Sequence, residues 1–377
     1  MWNYLLENRS KFSAMIFMLM LSLPLVGHVF LSKKANDVSQ LENRSLASMP
    51  TIETLLSDWE NYSSALNNWM EDNVGFRNEF VALYGSLRDG FELERSERAV
   101  IGDDGWYFST LNDALKMHQG RLPFGGRQAE AWLEAAANIE EIVQNRGADF
   151  SVFITPNKHS VYPEKLSKYP VQLSEARRAQ VLSARAPEFG VDVNYPITDF
   201  LEAKAHRQVF YKTDTHWSEA GAFVGYQAFV RMATEAGFAV DVLNMERDIQ
   251  ISEPVPFRGD IYGLLAISDG EPELIPEWRV RVPREVEERG VPEFEAFGVQ
   301  ATFKKAKDGN GPRLLLFGDS FSVGMLPYLQ ESFAEITYIY HGWTSPRLGA
   351  LDLRAYDLVV LQVTERALSS PLTPELP

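Results

Sequence analysis

Two short stretches of the sequence carry side chains that together could perform acyl transfer. Residues 211–218 contain Asp214 and His216, and residues 314–322 form an apolar run that ends in a Gly-Asp-Ser turn at Ser320. A serine on a strand-to-helix turn projects its hydroxyl above a sheet, where a base can reach it. His216 can accept and return a proton near neutral pH, and Asp214 can fix the imidazole tautomer. The pattern predicts a Ser-His-Asp site.

Other interpretations of the same residues stay open at this stage. Asp214 and Ser320 could simply cap helices, as these residue types often do. Ser322 is an alternative nucleophile, and Asp319 is an alternative to Asp214 as the orienting acid. Asp319 directly precedes Ser320, and the side chains of adjacent residues usually point in different directions. We therefore expect the Asp319 side chain to hold the turn by hydrogen bonds rather than to contact His216.

An acyl-transfer site also needs hydrogen-bond donors for the developing oxyanion. The backbone N–H of Ser320 is one candidate, and loops beyond the carboxyl ends of neighbouring strands are the expected source of others. Trp217 and Trp343 could stack on a sugar ring or belong to the core. For each loop position an ordinary structural role is the alternative. The substrate-binding or oxyanion candidates are Asn157, Lys158, His341, Gly342, Trp343 and Thr364.

Composition excludes several other classes of site. The formal net charge of −16 argues against a nucleic-acid partner, because the chain would repel a phosphate backbone. The chain has no cysteine, which removes disulfides, thiolate metal sites and cysteine nucleophiles. Its six histidines include no HExxH motif or clustered pair, and no phosphate-binding loop is present. We therefore predict no metal and no cofactor.

The N-terminal region contains a candidate membrane segment. Residues 12–32 carry no formal charge and are rich in Met, Leu, Phe and Val. As a helix rising about 1.5 Å per residue, this segment would span roughly 30 Å, the thickness of a bilayer core. No clear Ala-x-Ala cleavage site follows, which favours a retained signal-anchor over a cleaved signal peptide. We expect the rest of the chain to lie outside the cytoplasm.

The remaining pattern alternates between strands and helices, which favours an α/β domain with a mostly parallel sheet. We divide the chain into residues 1–34 (tail and membrane helix), 35–100 (juxtamembrane helical segment) and 101–377 (catalytic domain). Residues 245–310 lack clear periodicity and are predicted to form an irregular β-rich insertion. Predicted strands cover 149–155, 191–193, 313–317, 336–340 and 357–363. Predicted helices cover 127–146, 174–186, 219–236 (with Ser218 as N-cap) and 324–335.

Six stretches in the same order resemble the alginate O-acetyltransferase group, the AlgJ/AlgX-like proteins with an SGNH-hydrolase-like domain. They correspond to a leader after the signal-anchor, a D-x-x-x-F-R segment, a G-x-D-G-W strand, a short V/L-Y-P segment, and the D-x-H-W and G-D-S motifs. In this chain they lie at residues 42–50, 69–77, 102–108, 161–165, 214–217 and 318–320.

The resemblance implies a circularly permuted SGNH-hydrolase-like fold of three α/β/α layers, with Asp214, His216 and Ser320 as the triad. Ser320 would carry a transient acetyl group. The implied activity is O-acetylation of exopolysaccharide hydroxyls in the periplasm, by a protein held in the inner membrane through a single-pass anchor. A multipass membrane acyltransferase is the implied partner and acetyl source.

Three questions stay open on the residues alone. The acceptor could be alginate, a neutral glycan such as cellulose, or an acyl-relay protein. The same triad would also serve an acetylesterase, in which water rather than a sugar hydroxyl resolves the intermediate. A non-catalytic scaffold of an export complex is the third class of function.

Overall fold

The computed structural model describes residues 98–373, apart from 123, 172–176, 266, 268–269, 292–293, 295–298 and 341–347. It also describes residues 18, 38–39, 44–45, 49–51 and 59–72. In this described part of the chain, no helix is both long and apolar enough to cross a membrane. Apart from residue 18, the predicted membrane segment 12–32 lies outside it.

The helices and strands of the described residues are numbered in chain order. The helices are α1 Trp59–Asp72, α2 Ala114–His118, α3 Gly126–Gln144, α4 Lys158–Val161, α5 Arg178–Arg185, α6 Ile197–Ala203, α7 Glu219–Glu235, α8 Met245–Asp248, α9 Asp260–Leu264 and α10 Ser320–Leu329. The strands are β1 Val38–Ser39, β2 Arg44–Ser45, β3 Ala99–Ile101, β4 Tyr107–Ser109, β5 Asp149–Thr155, β6 Val193–Asn194, β7 Ile249–Phe257, β8 Glu273–Val280, β9 Val286–Gly290, β10 Ala301–Ala306, β11 Arg313–Gly318, β12 Glu335–Tyr340 and β13 Leu358–Thr364.

The chain divides into two compact units. The first comprises residues 1–96 and 260–271 and contains α1, α9 and the antiparallel pair β1–β2. The second comprises residues 97–259 and 272–377 and contains all the other elements.

The second unit is built on a seven-stranded sheet in the order β6-β5-β13-β11-β12-β10-β9. The first five strands in this order pair in parallel, and β10 and β9 extend one edge antiparallel. The predicted mostly parallel sheet is confirmed. Because β13 and β12 lie parallel to β11 on either side of it, the carboxyl ends of these three strands lie at the same edge of the sheet, where Ser320 follows β11.

Helices cover both faces of this sheet. Along β11, Leu314 and Leu316 point into one core, whereas Leu315 and Phe317 point into the other, as the two-residue period of a strand requires. The first core is closed by α7 and α10, and the second by α3 and α5. Burial on both faces explains the unbroken apolar run of this strand. The three-layer α/β/α architecture is confirmed.

The predicted boundaries hold within a few residues for most of these elements, but not for α10. Its predicted range was 324–335, whereas it begins at Ser320 and ends at Leu329. It begins early because the Asp319 side chain accepts a hydrogen bond from the backbone N–H of Phe321 at 2.9 Å and so caps the first turn. For α7 the predicted N-cap is confirmed, since the Ser218 hydroxyl accepts from the Gly221 N–H at 3.2 Å.

The region 245–310 also differs from the prediction of an irregular insertion. Strands β7 and β8 form a hairpin with a register shift between Ile251 and Pro254, but β10 pairs with both β9 and β12. Strands β9 and β10 therefore extend the central sheet. Their sequence hides this because β9 is a charged edge strand, and charged edges discourage pairing with other chains.

Candidate active site

The side chains of Asp214, His216 and Ser320 lie in one hydrogen-bonded line. His216 Nε2 is 2.7 Å from Ser320 Oγ, and His216 Nδ1 is 2.7 Å from Asp214 Oδ1. Asp214 Oδ1 also accepts from the backbone N–H of His216 at 2.9 Å, which holds the carboxylate against its own loop. With the imidazole proton on Nδ1, Nδ1–H donates to Asp214 and the Ser320 hydroxyl can donate to Nε2. This arrangement can remove the hydroxyl proton as the oxygen attacks a carbonyl carbon.

The turn that presents Ser320 is fixed by its two preceding residues. A Cβ on Gly318 would lie 2.3 Å from Ser322 Oγ and 2.9 Å from Gln362 Oε1, so only glycine fits. The Asp319 carboxylate accepts from the Phe321 N–H and from the Thr364 N–H, each at 2.9 Å, and from the Thr364 hydroxyl. Asp319 thus ties the turn to the end of β13, as expected, and does not contact the imidazole within hydrogen-bonding distance.

Ser322, the alternative nucleophile, lies inside the core. It is fully buried, and its hydroxyl donates to Gln362 Oε1 at 2.6 Å. The amide of Gln362 also accepts from the Asp319 N–H at 2.9 Å and donates to Thr155 Oγ1 at 2.9 Å. These bonds join β11, β13 and β5 below the Ser320 turn. Sequence reasoning missed Gln362, although a glutamine within the apolar run 358–363 is a visible signal.

The loop that carries Asp214 is held from beneath by Lys158. Only 4% of this residue is exposed, and its ammonium donates to the carbonyl oxygens of Tyr211, Lys212 and Asp214 at 2.8, 3.0 and 2.7 Å. It also lies 5.5 Å from the ring centroid of Trp106. Lys158, a sequence candidate for substrate or oxyanion contact, is therefore directed into the protein.

Glu273, at the start of β8, holds the same loop from another side. One carboxylate oxygen accepts from the Thr213 N–H at 2.9 Å and the Thr213 hydroxyl at 2.8 Å, and the other accepts from the Lys212 N–H at 2.9 Å. Sequence reasoning missed Glu273, because it lies some 60 residues beyond the loop in a region without periodicity.

Trp217 is a core residue, which decides between the two roles left open for it. It is 3% exposed and stacks on Phe200 with ring centroids 5.8 Å apart and planes 5° from parallel. Glycines of α7 and α10 make room for the indole: a Cβ on Gly225 would lie 2.8 Å from the ring, and one on Gly324 would lie 2.7 Å from Nε1. The indole thus locks the His216 loop between the two helices.

The other predicted contacts lie in different places. The Thr364 hydroxyl donates to Asp319, and the backbone N–H of Asn157 donates to Glu365 at 3.0 Å. The Asn157 side chain lines a cavity separate from Ser320. The remaining candidates, His341, Gly342 and Trp343, lie outside the described residues.

An open groove of about 810 Å³ runs from Ser320 and His216 toward the antiparallel edge of the sheet. Tyr338 and Tyr340, two residues apart on β12, lie along it, and the Tyr338 hydroxyl donates to the Asp319 carbonyl at 2.7 Å. Burial raises the pKa of both phenols, so both stay neutral hydrogen-bonding groups. The rest of the lining includes Gln300, Thr302, Lys304, Glu288, Val323, Pro327 and Gln330.

The groove has the dimensions and side chains of a substrate site. Its volume falls within the roughly 300–1,000 Å³ of small-molecule sites. Its amide, hydroxyl and phenol groups can form hydrogen bonds with sugar hydroxyls. Lys304 is paired with Glu288 at 2.5 Å, so this cation is already balanced. The two tyrosines were missed from the sequence, although their i, i+2 spacing on a predicted strand was a usable signal.

Comparisons with known proteins identify the family to which this fold and site belong. Residues 99–341 match the family model described as SGNH hydrolase-like domain, acetyltransferase AlgX. The chain belongs to this family. The predicted resemblance to AlgJ/AlgX-like proteins and the SGNH-hydrolase-like fold are thereby confirmed.

Two curated relatives are similar in sequence. The probable alginate O-acetylase AlgJ of Pseudomonas aeruginosa is 28% identical over 228 residues, covering 59% of this chain and 55% of its own length. The protein of the same description from Pseudomonas putida is 30% identical over 183 residues, covering 47% and 44%. The chain thus spans about half the length of these relatives.

A solved structure supports the fold alone. The structure of Bacillus cereus PatB1 with a sulfonyl adduct superposes with a TM-score of 0.53 at 15% identity, covering 72% of this chain and 96% of that one.

Proposed function

We propose that this protein is an O-acetyltransferase that adds acetyl groups to hydroxyls of an alginate-like exopolysaccharide. Asp214, His216 and Ser320 are its catalytic triad. The observation that carries the proposal is the 2.7 Å contact between His216 Nε2 and Ser320 Oγ, in a chain of the AlgX acetyltransferase family. The names of the curated relatives, probable alginate O-acetylases, support the polymer class.

In the first half-reaction, Ser320 Oγ attacks the carbonyl carbon of a donor acetyl ester while His216 Nε2 takes its proton. Asp214 stabilises the imidazolium that forms. The tetrahedral intermediate collapses as the bond to the donor oxygen breaks, and His216 returns the proton to that leaving oxygen. The products are acetyl-Ser320 and the free donor alcohol.

In the second half-reaction, a sugar hydroxyl in the groove attacks the acetyl carbon. His216 removes the proton of that hydroxyl and delivers it to Ser320 Oγ as the serine ester breaks. Tyr338, Tyr340 and Thr302 are positioned to contact the sugar, because they line the groove beside Ser320. If water entered in place of the sugar, the same residues would perform acetyl-ester hydrolysis.

Each half-reaction places negative charge on the former carbonyl oxygen. The backbone N–H of Ser320 begins the ten-residue helix α10, whose N-terminal end favours negative charge. It is our candidate for one oxyanion donor. We propose the amide of Gly342 as a second, because residues 341–347 follow the neighbouring strand β12 in the sequence.

The wider setting belongs to the same proposal. The uncharged segment 12–32 supports a single-pass anchor in the inner membrane, with the catalytic domain in the periplasm. A multipass membrane acyltransferase would then supply acetyl groups from across the membrane. The chemistry requires no cofactor, and the charge of −16 opposes nucleic acid.

The proposal is tested with the full chain in detergent, p-nitrophenyl acetate as donor and mannuronate oligosaccharides as acceptor. Acetylated oligosaccharide should form in excess of free acetate, and Ser320→Ala should abolish both products. Ser322→Ala is the matched control and should retain transfer. Free acetate alone would identify an acetylesterase. Normal polymer acetylation in cells carrying Ser320→Ala would leave only a scaffolding role.

A further inference from the structure

A second cavity lies beside the short helix α4, away from the loop that carries Asp214. It has a volume of about 70 Å³ and shares no lining residue with the groove at Ser320. His118, Asn157 and His159 contribute to its wall, and they are 7%, 3% and 5% exposed. Arg178, at the start of α5, also lines it. Neither the acyl-transfer chemistry nor the groove uses these four side chains.

Each of these side chains presents a buried polar atom without a hydrogen-bond partner in the described part of the chain. The atoms are His118 Nδ1, Asn157 Oδ1, His159 Nε2 and Arg178 Nε. Such atoms are rare in folded proteins, because a buried polar group that gives up water without finding a partner destabilises the fold. Four of them around one cavity point to a bound polar species that supplies the missing bonds.

The charges around the cavity favour an anion. Arg177 and Arg178 both line it, whereas Glu365 supplies one carboxylate. Glu365 already accepts from the Asn157 N–H at 3.0 Å and the Ser160 hydroxyl at 2.6 Å. With the histidines neutral, these groups sum to one positive charge, which a single monoanion would balance.

The histidines are neutral because of their surroundings. Burial, reinforced by Arg177, lowers the pKa of His118 to about 4. Burial also lowers the pKa of His159 well below its usual range. The positive charges of Lys158 and of a protonated His118 lower it further. A neutral imidazole can donate an N–H to an anion or accept from water. A cation is disfavoured here by the two arginines.

The apolar side chains of the wall include Met117, Leu122, Phe124 and Val171. A ligand with a charged head and a short hydrocarbon end would match both parts of the cavity. We propose that this cavity binds a short-chain monocarboxylate, with acetate as the probe ligand. Arg178 Nε and the imidazoles would hold the carboxylate, and the apolar side chains would contact the methyl group.

The test is a titration of the full chain with ¹³C-labelled acetate, followed by NMR at constant ionic strength maintained with chloride. We expect saturable binding of one acetate that persists in Ser320→Ala, because the cavity is separate from the groove. Arg178→Met should weaken binding about tenfold or more, since hydrogen bonds to charged groups are the stronger ones. His118→Phe should block the cavity. Arg127→Met, which removes an exposed arginine of α3, should bind like the wild type.

Three outcomes would overturn the proposal: no saturable binding, equal affinity in folded Arg178→Met, or binding lost in Ser320→Ala. Circular dichroism establishes that each variant is folded. A crystal structure of the unaltered protein grown with acetate makes the test independent of the variants. Carboxylate density in the cavity is expected, and water molecules alone would contradict the proposal.

Discussion

Replacing Lys158 with methionine should remove the hydrogen bonds that hold the Asp214 loop in place, without changing any residue that lines the groove. The ammonium donates to three carbonyl oxygens, those of Tyr211, Lys212 and Asp214, at 2.7–3.0 Å. Methionine is similar in length, but it carries no charge over the Trp106 ring and cannot donate a hydrogen bond. The loss therefore falls on the loop that holds Asp214 against His216.

The magnitude follows from the bonds removed. A hydrogen bond from a charged donor contributes about 1.5–3 kcal/mol, and three bonds from one group are not additive. Breaking a buried charged network by removing one member typically costs about 3–5 kcal/mol. We expect Lys158→Met to lose about 3 kcal/mol of unfolding free energy. A displacement of the loop by about 1 Å would lower kcat roughly a hundredfold.

The assay combines urea unfolding with p-nitrophenyl acetate turnover at a temperature where the variant is fully folded. KM should stay unchanged, because Lys158 does not line the groove. Lys116→Met is the matched control: Lys116 pairs with Asp113 at 2.6 Å on the surface, where an ion pair contributes about 0–1 kcal/mol. Wild-type kcat and stability in Lys158→Met would refute a positioning role for this lysine.

Three further substitutions test the surroundings of the site and the second cavity. Ser322→Ala should keep kcat but lose about 1–2 kcal/mol of stability, because it removes one of the two buried hydrogen bonds that Gln362 Oε1 accepts. Gly225→Ala should destabilise by about 1–3 kcal/mol despite the better helix propensity, because its Cβ would meet the Trp217 ring at 2.8 Å. The protein should lose stability as the pH falls from about 6.5 toward 4, because folding holds the pKa of His118 near 4 and the unfolded chain binds the proton first. Urea unfolding between these pH values should give up to about 1.4 kcal/mol per pH unit from this one group, and His118→Phe should remove its share.

Each of these predictions has a control and an outcome that would contradict it. Ser320→Ala should show the reverse of Ser322→Ala, losing turnover and keeping stability; the opposite assignment would make Ser322 the nucleophile. Gly126→Ala places its Cβ 3.9 Å from the nearest atom, so it should not destabilise, and an equal loss in both glycine variants would argue against the indole contact. His206→Gln, at an exposed histidine, is the matched control for the His118 substitution. An unchanged slope in His118→Phe would mean that His118 is not held neutral.

Much of the central sheet could be predicted because its strands are buried on both faces. Residues 149–155 were predicted as a strand with the bounds that the structure has, since a continuous apolar run between polar turns admits few other interpretations. The strand order could not be predicted, because pairing β5 with β13 joins segments some 200 residues apart. Strands β9 and β10 were missed because β9, at the edge, is charged and exposed, and β10 beside it carries two lysines, so neither shows a clear apolar period.

The motif residues of the site were visible in the sequence, but their supports were not. Asp214, His216 and Ser320 were identifiable because three residue types with complementary roles occur at turns. Lys158 was read as a loop residue facing substrate, because nothing in its local sequence reveals that it is buried against Trp106. Glu273 lacked any local signal. Such supports depend on contacts between distant segments, which residue type and spacing do not encode.

The most direct test of the account is to capture the acetyl-enzyme. The full chain would be mixed with p-nitrophenyl acetate, quenched in acid within one turnover, digested and analysed by mass spectrometry. We predict that the peptide containing Ser320 gains the mass of one acetyl group, that the gain disappears on adding acceptor oligosaccharide, and that Ser320→Ala gains none. Acetylation of a different residue during turnover, or turnover by Ser320→Ala at the wild-type rate, would contradict Ser320 as the nucleophile.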